Sequence, residues 1–197
     1  MECHTWMVRQ LGGMMVETAL SLDDPRWAEL NTRNGGAAWV PAWLRRLIAQ
    51  PSDLGHFNDE WPALCSEGTT WSAAYAAMPY LVRAASEVQV SDRFDYAVVL
   101  GFIVRDRVQC DTEDSMGLRP YLAYAFHASI PSALRLASEV LSVPLRGERE
   151  LRHALMAVAA LQGHQLLAEC IDRLDDAETC PHYAQLLAVH DQAVKSR

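Results

Sequence analysis

The sequence predicts an all-α chain of stacked helix pairs, a short α-solenoid of about nine helices. Three observations carry this. Apolar residues recur at spacings of three and four through most of the chain, and alternating runs with hairpin turns do not appear. Short breaks built on Gly, Pro and Asp separate those stretches. One stretch also returns later: AAYAAMPYLVRAASEV (Ala73–Val88) aligns without gaps with AFHASIPSALRLASEV (Ala125–Val140). The chain has 197 residues, half of them apolar, enough for a core that needs neither disulfides nor metal.

Residues 1–20 carry Met1, Met7, Met14 and Met15 and a Gly12-Gly13 break, and read as a loosely ordered extension before one domain over residues 21–197. A translation start at Met14 or Met15 is compatible with this pattern. Trp39–Ala49 sets Val40, Trp43, Leu44, Leu47 and Ile48 on one helical face, with Pro41 in the first turn, where no N–H is needed. Phe57–Cys65 reads as a helix started at Asn58/Asp59, with Glu60 near its positive end, and Gly68 as the break after it. Thr69 or Thr70 is expected to cap a helix from Trp71 to about Val88, and Asp92 one from Arg93 to about Val108. A polar loop, Asp111–Gly117, precedes a helix over Leu118–Leu141, with Pro131 as a kink or restart. Glu148–Leu161, Gln165–Leu174 and His182–Val194 complete the series.

In the repeat, Pro79/Pro131, Arg83/Arg135 and Ala85–Val88/Ala137–Val140 are identical, and Pro41-Ala42-Trp43-Leu44-Arg45 is a weaker copy. The pattern reads as a helix entered through Pro, with Arg one turn later to reach a neighbouring helix or loop. Helix pairs repeating at about 40–50 residues are what an α-solenoid needs, since no pair buries its own face alone.

Charge narrows the function. Lys and Arg number 17 against 25 Asp and Glu, a net charge of −8. Residues 51–114 hold eleven acids and four bases, so the imbalance sits in the middle third. Such a chain repels nucleic-acid backbones and admits a basic protein partner. A helical-repeat enzyme acting on nucleic acid, such as a HEAT-like DNA glycosylase, would need a basic groove, for which only Arg26, Arg33, Arg45 and Arg46 cluster.

Cys3, Cys65, Cys110, Cys170 and Cys180 are odd in number and widely spaced, which reads as reduced thiols in a cytoplasmic protein. No signal peptide is visible, and the longest apolar run, Ala97–Val104, is far below the roughly 20 residues that span a bilayer. There is no G-x-S-x-G, P-loop, G-x-G-x-x-G or H-E-x-x-H. His190-Asp191 stands alone, and Cys170, Cys180, His182 and His190 match no zinc spacing. The expectation is therefore a non-enzyme without metal or cofactor. Of the six tryptophans, Trp43 and Trp61 lie in apolar patterns and read as core, whereas Trp39 and Trp71 flank loops at helix starts and are open to a partner.

Trp27-Ala28-Glu29-Leu30 followed by Gly36-Ala37-Ala38-Trp39-Val40-Pro41-Ala42-Trp43-Leu44 resembles the opening of bacterial HEAT-repeat proteins. The resemblance continues through Trp61, Leu64, Ser66-Glu67-Gly68-Thr69, Trp71, Ala74, Ala77, Pro79 and Leu81 and covers residues 25–90. Where the family has His-Gln this chain has Ser66-Glu67, making that loop more acidic. The resemblance implies a HEAT-like interaction protein, of the kind encoded beside secreted or polymorphic toxins, where small helical proteins confer immunity. The expected function is thus an immunity protein that binds a cognate toxin with a basic surface, such as a nuclease, and occludes its active site. The alternative is a general scaffold without a toxin. The residues expected to meet the partner are Glu60, Glu67, Asp111, Glu113 and Asp114 for charge, with Trp71 and Tyr75 as anchors. No nucleic acid or membrane is expected as a partner, and the oligomeric state is open.

Overall fold

A computed structural model describes residues 19–66, 68–106 and 118–174. Within them the chain is mainly helical, with seven α-helices: α1 Val40–Ala49, α2 Leu54–Glu60, α3 Ser72–Glu87, α4 Phe94–Arg105, α5 Pro120–Val140, α6 Glu148–Leu161 and α7 Gln165–Asp172. The expected helix over 182–194 lies outside the described residues. Two short antiparallel pairs interrupt the helices. β1 (Asn31–Thr32) pairs with β2 (Gly35–Gly36), and β3 (Cys65–Ser66) with β4 (Thr69–Thr70). No described helix is long and apolar enough to cross a membrane.

The helices form where the apolar stripes predict them, and the differences have local causes. α2 begins at Leu54, not Phe57, because the Asp53 carboxylate accepts from the His56 backbone N–H at 3.1 Å and caps the helix there. It stops at Glu60, since Pro62 lacks an N–H to continue it, and a 3₁₀ turn (Trp61–Ala63) leads into β3. Thr70 lies in β4, its hydroxyl donating to the Ile103 carbonyl at 3.4 Å, and α3 follows Trp71 without a side-chain cap bond. Asp92 closes a 3₁₀ turn (Val90–Asp92), and α4 starts beyond it at Phe94, with Arg93 as its N-cap and no side-chain cap.

Pro41 stands in the first turn of α1 as expected, but Pro79 and Pro131 lie inside α3 and α5. The repeat is therefore not a helix entered through Pro. Its arginines also differ in reach. Arg45 donates to the Leu22 carbonyl at 2.8 Å and pairs with Asp23, whereas Arg135 turns back on Glu139 of its own helix.

The repeated stretch does recur in the packing. α3 lies against α5, and α4 against α6, so the α3–α4 pair meets the α5–α6 pair; α1 covers another side of α3, and α7 covers α6. At the α4–α6 crossing a Cβ on Gly101 would stand 2.5 Å from Ala157 Cα, so the backbones touch only because residue 101 has no side chain. The core runs through Trp27, Leu30, Leu44, Phe57, Tyr75, Met78, Tyr96, Leu100, Phe126 and Leu136, all nearly inaccessible to water. Leu20 joins it, so packed chain begins ahead of residue 21. Three side chains hold that entry. The Tyr80 hydroxyl donates to the Leu20 carbonyl at 2.7 Å, Trp27 Nε1 to Ser21 at 2.9 Å and Arg45 to Leu22.

Candidate partner-binding site

Among the residues expected to meet a partner, Glu60 ends α2 and is half-buried, and Trp71, also half-buried, immediately precedes α3. Tyr75 does not face out. It is 1% exposed, with its ring edge-on to Phe126 at 5.1 Å between centroids. One turn into α3 its position turns inward toward α5, and the aromatic surface serves the core. Glu67, Asp111, Glu113 and Asp114 lie outside the described residues.

Asn58 and Trp61 line a cleft of about 510 Å³ between the end of α2, α4 and the start of α6. Its aromatic wall is Trp61 stacked on Phe102, with centroids 6.0 Å apart and planes 23° apart. Trp61 is half-buried, not core as its apolar setting predicted. Trp43 is core, 4% exposed, and stacks on Phe57.

The acidic side of the cleft is ordered by a short relay. Trp61 Nε1 donates to Asn58 Oδ1 at 3.2 Å, and Asn58 Nδ2 donates to Asp95 Oδ2 at 3.1 Å. The relay fixes the indole and the carboxylate relative to each other before any ligand arrives. Asp59, Glu60 and Asp95 have no cation partner among the described residues. The rest of the middle-third charge is partly spent internally, with Asp53 on Arg46 and Asp106 on Arg105. A smaller hollow of about 130 Å³ continues past Phe94, Asp95 and Glu150 to Asp92 and Leu145.

The opposite side is α6, with Arg149, Glu150 and His153. His153 meets Phe102 edge-on at 6.2 Å, and its Nε2 lies 3.6 Å from Asp172 of α7. Burial holds its pKa below the usual histidine value, and Asp172 only partly opposes this. Behind the cleft, Arg105 sits over the Phe102 ring at 4.7 Å and joins Asp106 and Asp172. Burial works against its charge, but those two carboxylates outweigh it and raise its pKa. Asp106 is displaced upward by burial, against the pull of Arg105.

Sequence reasoning counted Asp95 only as one acid among many and read Asn58 as a helix start. The signal for both was present. Asp95, Val98, Val99 and Phe102 share one face of α4 at spacings of three, four and seven, a stripe that begins with a carboxylate. His153 and Trp61 come to that face only through tertiary packing.

No cluster of three His, Cys, Asp or Glu side chains suited to a metal ion occurs among the described residues. The Cys65 thiol is fully buried and its pKa is pushed up by desolvation, which keeps it protonated and un-nucleophilic. A preset carboxylate beside a stacked indole suits a cationic side chain carried on apolar surface. No family model, curated protein or solved structure matches this chain.

Proposed function

We propose that this chain is a cytoplasmic immunity protein, a HEAT-like array of helix pairs that binds a cognate bacterial toxin with a basic surface and occludes its active site. The observation that carries this reading is Asp95, a carboxylate that lines the cleft with the Trp61–Phe102 wall, is aimed by Asn58 and has no cation partner among the described residues. Desolvating a preset carboxylate against a matching cation selects the partner and speeds encounter. The resemblance of residues 25–90 to bacterial HEAT-repeat proteins supports the choice of a toxin over other basic proteins. Trp71, Glu67 and the acidic stretch Asp111, Glu113 and Asp114 extend the proposed contact surface.

The test is co-expression with the product of the neighbouring gene. The expected result is a partner that is toxic alone, harmless together with this chain, and recovered with it as a 1:1 complex. Reversing Asp59, Glu60 and Asp95 to Lys then slows association and weakens protection. Absence of rescue, with several weak partners instead of one, overturns immunity in favour of a general scaffold. Unchanged affinity and salt dependence on reversing Asp111, Glu113 and Asp114 removes that stretch from the surface.

A further inference from the structure

The last two described helices leave leucines in water. On α6, Leu151 and Leu155 lie one turn apart and are 45% and 41% exposed. On α7, Leu166 and Leu167 are 63% and 45% exposed, and Leu174, just past its end, is 42% exposed. The opposite face of α6 is apolar as well. Ala154, Ala157 and Leu161 enter the main core, and Met156 and Ala160 form a second cluster with Ala168 of α7. A helix apolar on both faces is normally covered on both. The only other large apolar side chains exposed among the described residues are Tyr121 and Tyr124, on α5. The leucines thus gather on the final helix pair, which is a larger apolar surface than scattered single residues make.

The chain itself continues from this surface. Residues 175–197 follow directly on Leu174, and within them Tyr183, Leu186, Leu187 and Val194 keep the three- and four-residue spacing of an apolar stripe. Nine residues, 173–181, separate the end of α7 from position 182, a tether only slightly longer than the roughly 2–8 residues that join neighbouring helices in bundles. A segment tethered this closely meets the leucines at an effective concentration on the order of millimolar, far above that of a second copy in dilute solution.

We propose that residues 182–194 of this same chain dock on the outward face of α6 and α7, with Leu186 and Leu187 against Leu151, Leu155 and Leu166. The docked segment closes the open end of the array, as terminal repeats do in stacked-helix proteins. Gln185 and Gln192 fall on the side of the segment opposite that stripe, so a docked helix turns them to water.

Hydrogen exchange read by mass spectrometry on the full chain tests this, with sedimentation at the same concentration. The expected result is a monomer in which the amides of 182–194 exchange at least about tenfold more slowly than in an unfolded peptide of the same sequence. Leu151→Glu with Leu155→Glu should abolish that protection while leaving α3 and α4 protected, because both positions are exposed and outside the core. Leu187→Glu should abolish it from the other side. An unprotected segment in the unaltered chain overturns the proposal, as does protection that survives Leu151→Glu with Leu155→Glu. A dimer that this double variant dissociates makes a second copy the cover, and overturns it too.

Discussion

In the proposed binding mode, Asp95 is the carboxylate that would meet the partner's cation. Its carboxylate is aimed by Asn58, and Asn58 is in turn held by the Trp61 indole. Asp95→Lys should lower the association rate with the basic partner and flatten its salt dependence, with little change in melting temperature; stopped-flow kinetics at two ionic strengths would check this. Tyr75 should behave in the opposite way. Tyr75→Ala removes a ring packed on Phe126 and should cost about 3–5 kcal/mol in chemical denaturation, with no direct effect on affinity once the protein is folded. That contrast was only partly legible in the sequence. Both residues lie near helix starts in mixed surroundings, and burial is decided by which face α5 and α6 later cover. His153 adds a pH dependence. Burial depresses its folded-state pKa below 6.5, so between that lowered value and 6.5 the unfolded chain binds more protons than the folded one. Stability should therefore rise with pH through that window and fall on acidification below about 6.5. Melting curves at pH 5, 6 and 7 should show this slope, and His153→Gln should reduce it.

At the scale of elements, α4 and α6 cross with their backbones in close approach at Gly101 and Ala157. Gly101→Ala places a methyl against Ala157 Cα and should destabilise by about 1–3 kcal/mol, although Ala is the better helix former. Chemical denaturation with an unchanged slope against denaturant would confirm that packing alone is affected. The long helices were legible because each carries a stripe that must face inward, as with Ala74, Ala77, Met78 and Leu81 of α3. The two-residue pairings were not, because they carry no alternation. β1 is tied in by Ser72, whose hydroxyl accepts from the Asn31 N–H at 2.8 Å across a long loop of sequence. Pro79 and Pro131 misled for a related reason. A proline preceded by apolar residues looks like a first turn, and only the packing of α3 on α5 carries the helix through it. The two similar stretches lie in helices that contact each other, α3 and α5.

For the whole molecule, electrostatics separates inside from outside. Arg93 joins α4 to Glu139 of α5, and Arg105 joins α4 to Asp172 of α7, so these basic groups brace the helix pairs. Asp59, Glu60 and Asp95 have no such partners among the described residues, and of the three Asp95 lines the cleft. High salt should accordingly weaken partner binding far more than it lowers the melting temperature, since buried pairs are screened much less than exposed charges. The net charge was legible from the sequence, but its division between bracing and display depends on which helices meet. The grip of Tyr80, Trp27 and Arg45 on the carbonyls of Leu20, Ser21 and Leu22 also bears on where synthesis can start. Those side chains grasp backbone oxygens, so they read the presence of chain there and not its side chains. A polypeptide initiated at Met14 or Met15 keeps every one of these holds. One initiated beyond Leu22 presents nothing to grasp, and the Tyr80 hydroxyl and Trp27 indole are left to find water at the rim of the core.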